Sequence, residues 1–345
     1  MDFYRNKKIL VTGHTGFKGS WLAKILEKFG AEVVGYSLVP NTKPNLYDLL
    51  DTSAKTYLED IRDYPKLFSV FEKEEPEIVF HLAAQPLVRD SYDDPLYTYS
   101  TNVMGTANVL EAVRKTNSVK SCVVVTTDKV YQNGKDKDFS EDDALGGFEP
   151  YSTSKACCEL VTKSYTQAFF GNGARHTASA RAGNAIGGGD WSDRLLPNLI
   201  RLVFEDKGPF VLPYPNAVRP WQHVLDPLFG YLTLGQRLYD DASFASAWNF
   251  APEAENMITV KEISDRSISI LGKGSYSVQK PDKHETGVLR LDASKAKKLL
   301  GWKPVLGISE ALDWTLDWYS AYYEGSDAEK LTSDQIDKYL RKLSS

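Results

Sequence analysis

Tyr151 and Lys155 stand four residues apart, so on a helix they share one face. There an ammonium favours the phenolate and lowers the phenol pKa from about 10. Such a phenol can take an alcohol's proton while the alcohol carbon gives up hydride. Tyr4/Lys8, Tyr131/Lys135 and Tyr276/Lys280 repeat the spacing, and context chooses among them. Pro150 introduces a helix at Tyr151, and Thr126-Thr127-Asp128-Lys129 closes an apolar run just upstream. The other three pairs read as exposed tyrosines beside solvated lysines.

A departing hydride needs an acceptor, and Thr12-Gly13-His14-Thr15-Gly16-Phe17-Lys18-Gly19 offers a place for one. Glycines between a strand and a helix permit a tight turn and close backbone approach. A pyrophosphate can then sit on free amides at the positive end of the helix. The spacing G-x-x-G-x-x-G is one residue looser at its start than the usual dinucleotide fingerprint. The second strand ends Gly35-Tyr36-Ser37-Leu38, with no acid for the adenosine ribose and no following Arg for a 2′-phosphate, which favours NAD. Asp60 is placed either to accept from an adenine amine or to cap the next helix.

The elements that must position these groups alternate. Apolar runs beginning at Lys8, Glu32, Ile78, Ser121 and Thr177 read as strands, and amphipathic stretches from Lys18, Tyr64, Tyr97 and Tyr151 as helices. That order predicts an α/β fold, a doubly wound parallel sheet of Rossmann type with a smaller α/β substrate-binding lobe. Residues 1–183 form the expected dinucleotide-binding domain. Residues 184–345 form mainly the second lobe, where Gly187–Gly189 and frequent prolines suit loops that close on a substrate. Trp248–Phe250 reads as a returning strand, so the segment around 220–252 is expected to interleave with the first domain.

A chain of 345 residues with 42% hydrophobic and 25% charged content can bury a sizeable core. Its net charge of −5 gives no basic footprint for nucleic acid. Cys122, Cys157 and Cys158 are odd in number and two are adjacent, which suits free thiols in a reducing cytoplasm. The N-terminal residues lack a secretory core, and no apolar run reaches membrane-spanning length. His14, His81, His176, His223 and His284 show no metal-ligand spacing, so no metal is expected.

The cradle, His81-Leu82-Ala83-Ala84-Gln85, Asn102-Val103-Met104-Gly105-Thr106 and Tyr151/Lys155 follow one another in an order that resembles the extended short-chain dehydrogenase/reductases acting on nucleotide sugars. The resemblance spans nearly the whole chain. Longer strings narrow it to the branch of 4,6-dehydratases acting on CDP-glucose: the cradle through Trp21, Ala84-Gln85-Pro86-Leu87-Val88-Arg89, Arg181-Ala182-Gly183-Asn184 leading into Gly187-Gly188-Gly189-Asp190-Trp191, and Arg219-Pro220-Trp221-Gln222-His223-Val224.

This resemblance implies an internal redox cycle: oxidation at sugar C4, loss of water across C5 and C6, and return of hydride to C6. Tyr151 would be the C4 base, with Thr127 on the 4-oxygen and Lys155 beside it. Asp128 would be the acid for the 6-hydroxyl, its pKa raised by burial. Lys129 stands where relatives acting on dTDP-glucose carry Glu, and it reads equally as C5 base or as an electrostatic stabiliser. Implied NAD contacts are the cradle residues Gly13, Thr15, Gly16, Phe17, Lys18 and Gly19, then Asp60, Ile61, Leu82, Ala83, Ala84 and Asn102, with Tyr151 and Lys155. Implied substrate contacts are Gln85, Asn184, Arg194, Arg219, Asn249, His284 and Glu285. Among these Arg219 best suits a diphosphate, because a guanidinium matches phosphate oxygens in a fork. A homodimer built on helices at Tyr97–Lys115 and Tyr151–Phe170 is also implied.

The chain departs from the family pattern where Gln132 to Asp138 is polar instead of aromatic, and in lacking the acid after the second strand. Three rivals remain. Inverting UDP-N-acetylglucosamine dehydratases also carry Asp-Lys here, but with a closer Tyr. A simple 4-epimerase needs no elimination pair, and a cofactor-binding sensor would leave the sugar unchanged.

Overall fold

The computed structural model describes residues 2–132, 137–170, 173, 175–205, 208–212, 214–279 and 290–344. Seven parallel strands form its central sheet: β1 (Lys8–Thr12), β2 (Glu32–Ser37), β3 (Lys55–Leu58), β4 (Ile78–His81), β5 (Ser121–Val125), β6 (His176–Ala182) and β7 (Ala247–Phe250). Their spatial order is β7-β6-β5-β4-β1-β2-β3. The order reverses between β1 and β4, and the loops after those two strands open a crevice there, where open α/β sheets bind ligands.

Successive side chains on a strand face opposite ways, and each inner strand feeds two separate cores. Ile9, Val11, Phe80, Val123 and Val125 pack on one side with Trp21, Leu22 and Ile25 of helix α1 (Phe17–Lys28). Leu10, Val34, Val79 and Val124 pack on the other, against helices α2 (Tyr64–Glu74) and α3 (Gly105–Lys115). Burial on both faces explains the continuous apolar runs of these strands.

Helix α4 (Pro150–Tyr165) carries the Tyr/Lys pair. The Glu149 side chain accepts from the amides of Tyr151 and Ser152, and Pro150 fills the first turn where no amide is needed. Beyond β6, α5 (Leu195–Phe204), α6 (Leu225–Asp240), α7 (Val260–Leu271), α8 (Ile308–Tyr323) and α9 (Ala328–Leu343) follow.

Sequence periodicity did not reveal α6, and the structure shows why. Its first turns are buried all round from Leu225 to Leu232, and its polar stripe, Thr233, Gln236, Arg237 and Asp240, is confined to the C-terminal half. Pro227, Gly230 and Gly235 also lower its helical signal. A Cβ at Gly235 would come 2.8 Å from the Phe80 ring, and one at Gly230 would come 2.4 Å from Phe250. Those glycines let α6 press directly on the sheet. It then delivers the chain to β7, whose Trp248 pairs with Ala180 of β6. Among the described residues no helix is long and apolar enough to cross a membrane.

Candidate active site

A cleft of about 1310 Å³ opens over the carboxyl ends of the strands. Its floor starts at the cradle. Gly13 has φ +75, a left-handed value, and a Cβ there would lie 2.7 Å from the Ala83 amide nitrogen. A Cβ at Gly19 would fall 2.0 Å from the Gly13 carbonyl oxygen. Gly16 caps α1 without a side-chain bond and is exposed. The first amides of α1 are therefore open to an anion, and this geometry fits a dinucleotide pyrophosphate.

Most of the expected cofactor residues line this cleft: Gly13, Thr15, Gly16, Phe17, Lys18, Gly19, Asp60, Ile61, Leu82, Ala83, Ala84, Tyr151 and Lys155. Asn102 does not. It is buried in a π-helical turn, Ser100–Met104, where its amide accepts from the Gln85 amide and donates to Ser154 Oγ at 2.8 Å. It holds the loop after β4 against α4, a positioning role that a motif match cannot distinguish from contact.

Asp60 faces the cleft with its carboxylate taken. Arg62 donates to it through its backbone amide at 2.8 Å and through Nε and Nη2 at 2.9 and 2.6 Å. The cap of α2 is Asp63, so the capping alternative for Asp60 falls. Where the acid after β2 is missing, Thr15 Oγ1 and Ser37 Oγ meet at 2.8 Å at the cleft wall. Small hydroxyls carry no motif, which is why they escaped notice in the sequence.

The reacting groups converge at the ends of β5 and α4. Thr127, Asp128, Lys129, Tyr151 and Lys155 all line the cleft. Thr127 Oγ1 donates to Asp128 Oδ1 at 2.9 Å, and Tyr151 lines the cleft beside them. Burial raises the Asp128 carboxyl, against the pull of Lys129, Arg219 and Lys18. Gly183 leaves it room: a Cβ there would stand 3.0 Å from Asp128 Oδ2.

The expected lowering of the Tyr151 pKa is not what the chain alone produces. Burial pushes the phenol up to about 12, and nearby Thr127 only moderates this. Lys155 is itself lowered by burial, and its Nζ donates to the Val125 carbonyl at 3.1 Å, away from the phenol. Desolvation of the phenolate sets the direction here. Lys18 lies on the same floor, pushed down to about 8 by burial and by repulsion from Arg194 and Lys155.

Of the expected substrate residues, Gln85, Asn184, Arg194 and Arg219 line the cleft. Arg219 is 6% exposed, and Arg194 Nη1 lies 3.4 Å from Asp190 Oδ2. The Gln85 amide is occupied by its own loop, donating to Leu87 O and Thr98 Oγ1 at 3.0 Å each. Asn249 is not in the cleft. It is wholly buried, donating to Phe139 O and Asp292 O and accepting from Tyr131 Oη at 2.7 Å. His284 and Glu285 lie outside the described residues.

Residues 10–315 match the family described as GDP-mannose 4,6 dehydratase. The chain belongs to that family. Within this dehydratase family it is 43% identical to a CDP-glucose 4,6-dehydratase of Salmonella typhimurium, over 98% of each chain. It is 26% identical to dTDP-glucose 4,6-dehydratase 1 of Escherichia coli, covering 90% of this chain and 92% of that one. In fold it is similar to DesIV, a dTDP-glucose 4,6-dehydratase of Streptomyces venezuelae solved with NAD and TYD bound: TM-score 0.80, 24% identity, 91% of this chain and 97% of that one.

Behind the reacting groups this family member carries a buried brace that motif reading overlooked. Glu159 of α4 accepts from Thr126, Ser179 and Arg181, the last at 2.8 Å, and Arg181 Nη1 donates to Tyr131 Oη at 2.7 Å. Thr126 and Tyr131 flank the Asp128-Lys129 turn, so the brace grips it from both ends. The only signal of it in the sequence is Arg181, within the string Arg181-Ala182-Gly183-Asn184.

Proposed function

We propose that the chain is an NAD-dependent nucleotide-sugar 4,6-dehydratase converting CDP-D-glucose to CDP-4-keto-6-deoxy-D-glucose with loss of water. The observation that carries this reading is one cleft holding a dinucleotide cradle, an alcohol base and an elimination acid: Tyr151, and a buried Asp128 whose carboxyl burial raises and to which Thr127 donates. The 43% identity to the Salmonella CDP-glucose enzyme supports the choice of substrate.

NAD, when bound, supplies the hydride acceptor for C4 and returns that hydride to C6. The Tyr151 phenolate, which burial opposes, would be favoured by the positive charge that a bound NAD supplies. Tyr151 takes the 4-hydroxyl proton, with Thr127 beside the 4-oxygen. The C4 carbonyl makes the C5 proton acidic, and Lys129, half-buried in the cleft wall, serves as its base or stabilises the enolate. Asp128 gives its proton to the departing 6-hydroxyl. Arg219 and Arg194 supply positive charge for the diphosphate.

Residues 1–183 with β7 and α6 then act as the cofactor domain, and most of 184–345 as the substrate lobe. The cysteines described as free thiols suit a reducing cytoplasm. Exposed Leu96, Met104, Leu160 and Phe169, on or beside α3 and α4, support a homodimer through these helices.

The deciding experiment incubates the protein with CDP-glucose, UDP-glucose, dTDP-glucose and GDP-mannose in D2O and reads products by NMR. A 4-keto-6-deoxy product from CDP-glucose alone, with deuterium at C5, is expected. Unchanged sugars with NAD still bound would overturn the dehydratase reading, and turnover of another nucleotide sugar instead would overturn the substrate.

A further inference from the structure

The dinucleotide cradle and the Tyr151 helix are separate elements, yet reacting groups must be held to within about 0.5 Å of a productive arrangement. One buried titratable side chain lies between the two and takes no part in the chemistry above. His81 ends β4 and pairs with Thr12 at the end of β1. It is 2% exposed, and both ring nitrogens are bonded: Nδ1 lies 2.7 Å from Thr12 Oγ1, and Nε2 lies 3.0 Å from Thr106 Oγ1 of α3.

A threonine hydroxyl has one proton to give, and this fixes the direction of both bonds. Thr12 Oγ1 accepts from the Ala83 amide at 3.2 Å, and among the described residues the only acceptor in reach of its own proton is His81 Nδ1. Thr106 Oγ1 gives its proton to the Asn102 carbonyl at 2.6 Å, with Cys158 Sγ a longer alternative at 3.4 Å, so toward the ring it can only accept. Each hydroxyl independently places the ring proton on Nε2 and leaves Nδ1 bare. Burial and the Lys155 charge push the imidazole pKa down to about 3, so the ring carries no second proton. The bonds continue outward from it. On one side Thr12 holds the Ala83 amide, against which Gly13 of the cradle packs so closely that a Cβ would stand 2.7 Å away. On the other, Asn102 Nδ2 donates to Ser154 Oγ at 2.8 Å, and Ser154 Oγ donates to the Tyr151 carbonyl at 2.7 Å. Thr12, Asn102, Thr106 and Ser154 are each at most 2% exposed, so bulk water does not interrupt the series.

We propose that His81 is a positioning residue for hydride transfer, its Nε2 proton and bare Nδ1 holding the cradle and the first turn of α4 in register. Without those two nitrogens the cradle and the helix keep their own folds but lose the bonds that fix one against the other. The hydride role rests on the dehydratase reading above; the placement of the ring proton does not.

The test compares wild type, His81→Phe, His81→Gln and Thr106→Val as full chains. Long-range proton–nitrogen NMR spectra of histidine-labelled protein, with the His81 signals identified by their loss in His81→Gln, should show Nε2 protonated and Nδ1 bare. NAD-loaded His81→Phe and Thr106→Val should turn over CDP-glucose about 100-fold more slowly, the size of a misplacement of about 1 Å. With substrate deuterated at C4, both should show a larger primary isotope effect than wild type, while the NAD Kd, titrated on the apoprotein, changes far less. His81→Gln, which keeps one acceptor and one donor, should recover part of the rate. A proton on Nδ1, or folded variants with the wild-type rate, would overturn the proposal. So would slowing with an unchanged isotope effect, the mark of lost folded protein alone, or an equal fall in NAD affinity, the mark of a binding floor. Thr106→Val leaves the ring in place, so a folding failure of His81→Phe leaves the comparison intact. If wild type makes no keto-deoxy product, the dehydratase reading and the hydride role fall together; a working wild type with unaffected variants sinks the His81 role alone.

Discussion

Asp128 and Lys129 are neighbours in sequence with opposite tasks, and burial separates them. Asp128 is 2% exposed beside Gly183, where desolvation favours its neutral form, while Lys129 stays half-exposed at the cleft wall. An acid that must give a proton works only while it holds one. The carboxyl is raised by burial, so its protonated fraction falls as pH climbs through that elevated value, and turnover should fall on the alkaline side. Asp128→Asn should slow elimination, and so product formation, by about 10²- to 10⁴-fold while C4 oxidation continues. The check is absorbance: reduced cofactor should accumulate in the variant on adding CDP-glucose, and its absence would move the acid elsewhere.

At the scale of elements, the site is made by the ends of β5 and α4 being locked together, and the lock is ionic. Arg181 and Glu159 are each 3% exposed and 2.8 Å apart. Such a pair is a weak source of stability as a whole, but removing one partner strands the other charge. Arg181→Met should therefore lower unfolding stability by about 3–5 kcal/mol, measured by urea titration. It should also impair catalysis at temperatures where the variant remains folded, because Thr126 and Tyr131 lose their grip on the turn between them. The cradle was legible in sequence because glycine spacing is itself the requirement. The brace was not, since Glu159, Arg181, Tyr131 and Asn249 lie far apart in the chain and meet only when β6 docks beside β5.

For the whole molecule, a buried carboxylate joins α6 to both the Val305 segment and α9. Asp226, at the start of α6, accepts from the Val305 amide at 2.8 Å and from Tyr339 Oη of α9 at 2.7 Å. Burial pushes it up to about 6. For an acid whose folded pKa lies above its unfolded value of about 4, the folded state holds the proton more tightly. Stability is therefore favoured below that window and lost as pH rises from about 4 through about 6, a cost of roughly 3 kcal/mol. Asp226→Asn keeps the acceptor oxygen and lacks the titration. Its stability relative to wild type should rise across that window in denaturant curves, and parallel curves at every pH would rule the linkage out. The exposed apolar side chains on or beside α3 and α4 bear on the proposed homodimer. On that proposal wild type should run as a dimer in light scattering and Leu160→Arg combined with Met104→Arg as a monomer with NAD binding retained, and a monomeric wild type would rule the dimer out.

Local order in the chain determined the alternating elements, the parallel sheet, the glycine cradle and the candidate pair at Tyr151 and Lys155. Each depends on periodicity or on spacing within one turn. Tertiary structure decided what distance along the chain conceals. It placed Asn102 and Asn249 as braces outside the cleft, satisfied Gln85 within its own loop, and occupied Asp60 with Arg62. It also set the direction in which each buried group titrates, because desolvation depends on what surrounds a side chain in three dimensions. Residue type and spacing could nominate Tyr151 as a base, but only the packed cleft shows that burial favours its neutral form and that Thr127 is bonded to Asp128.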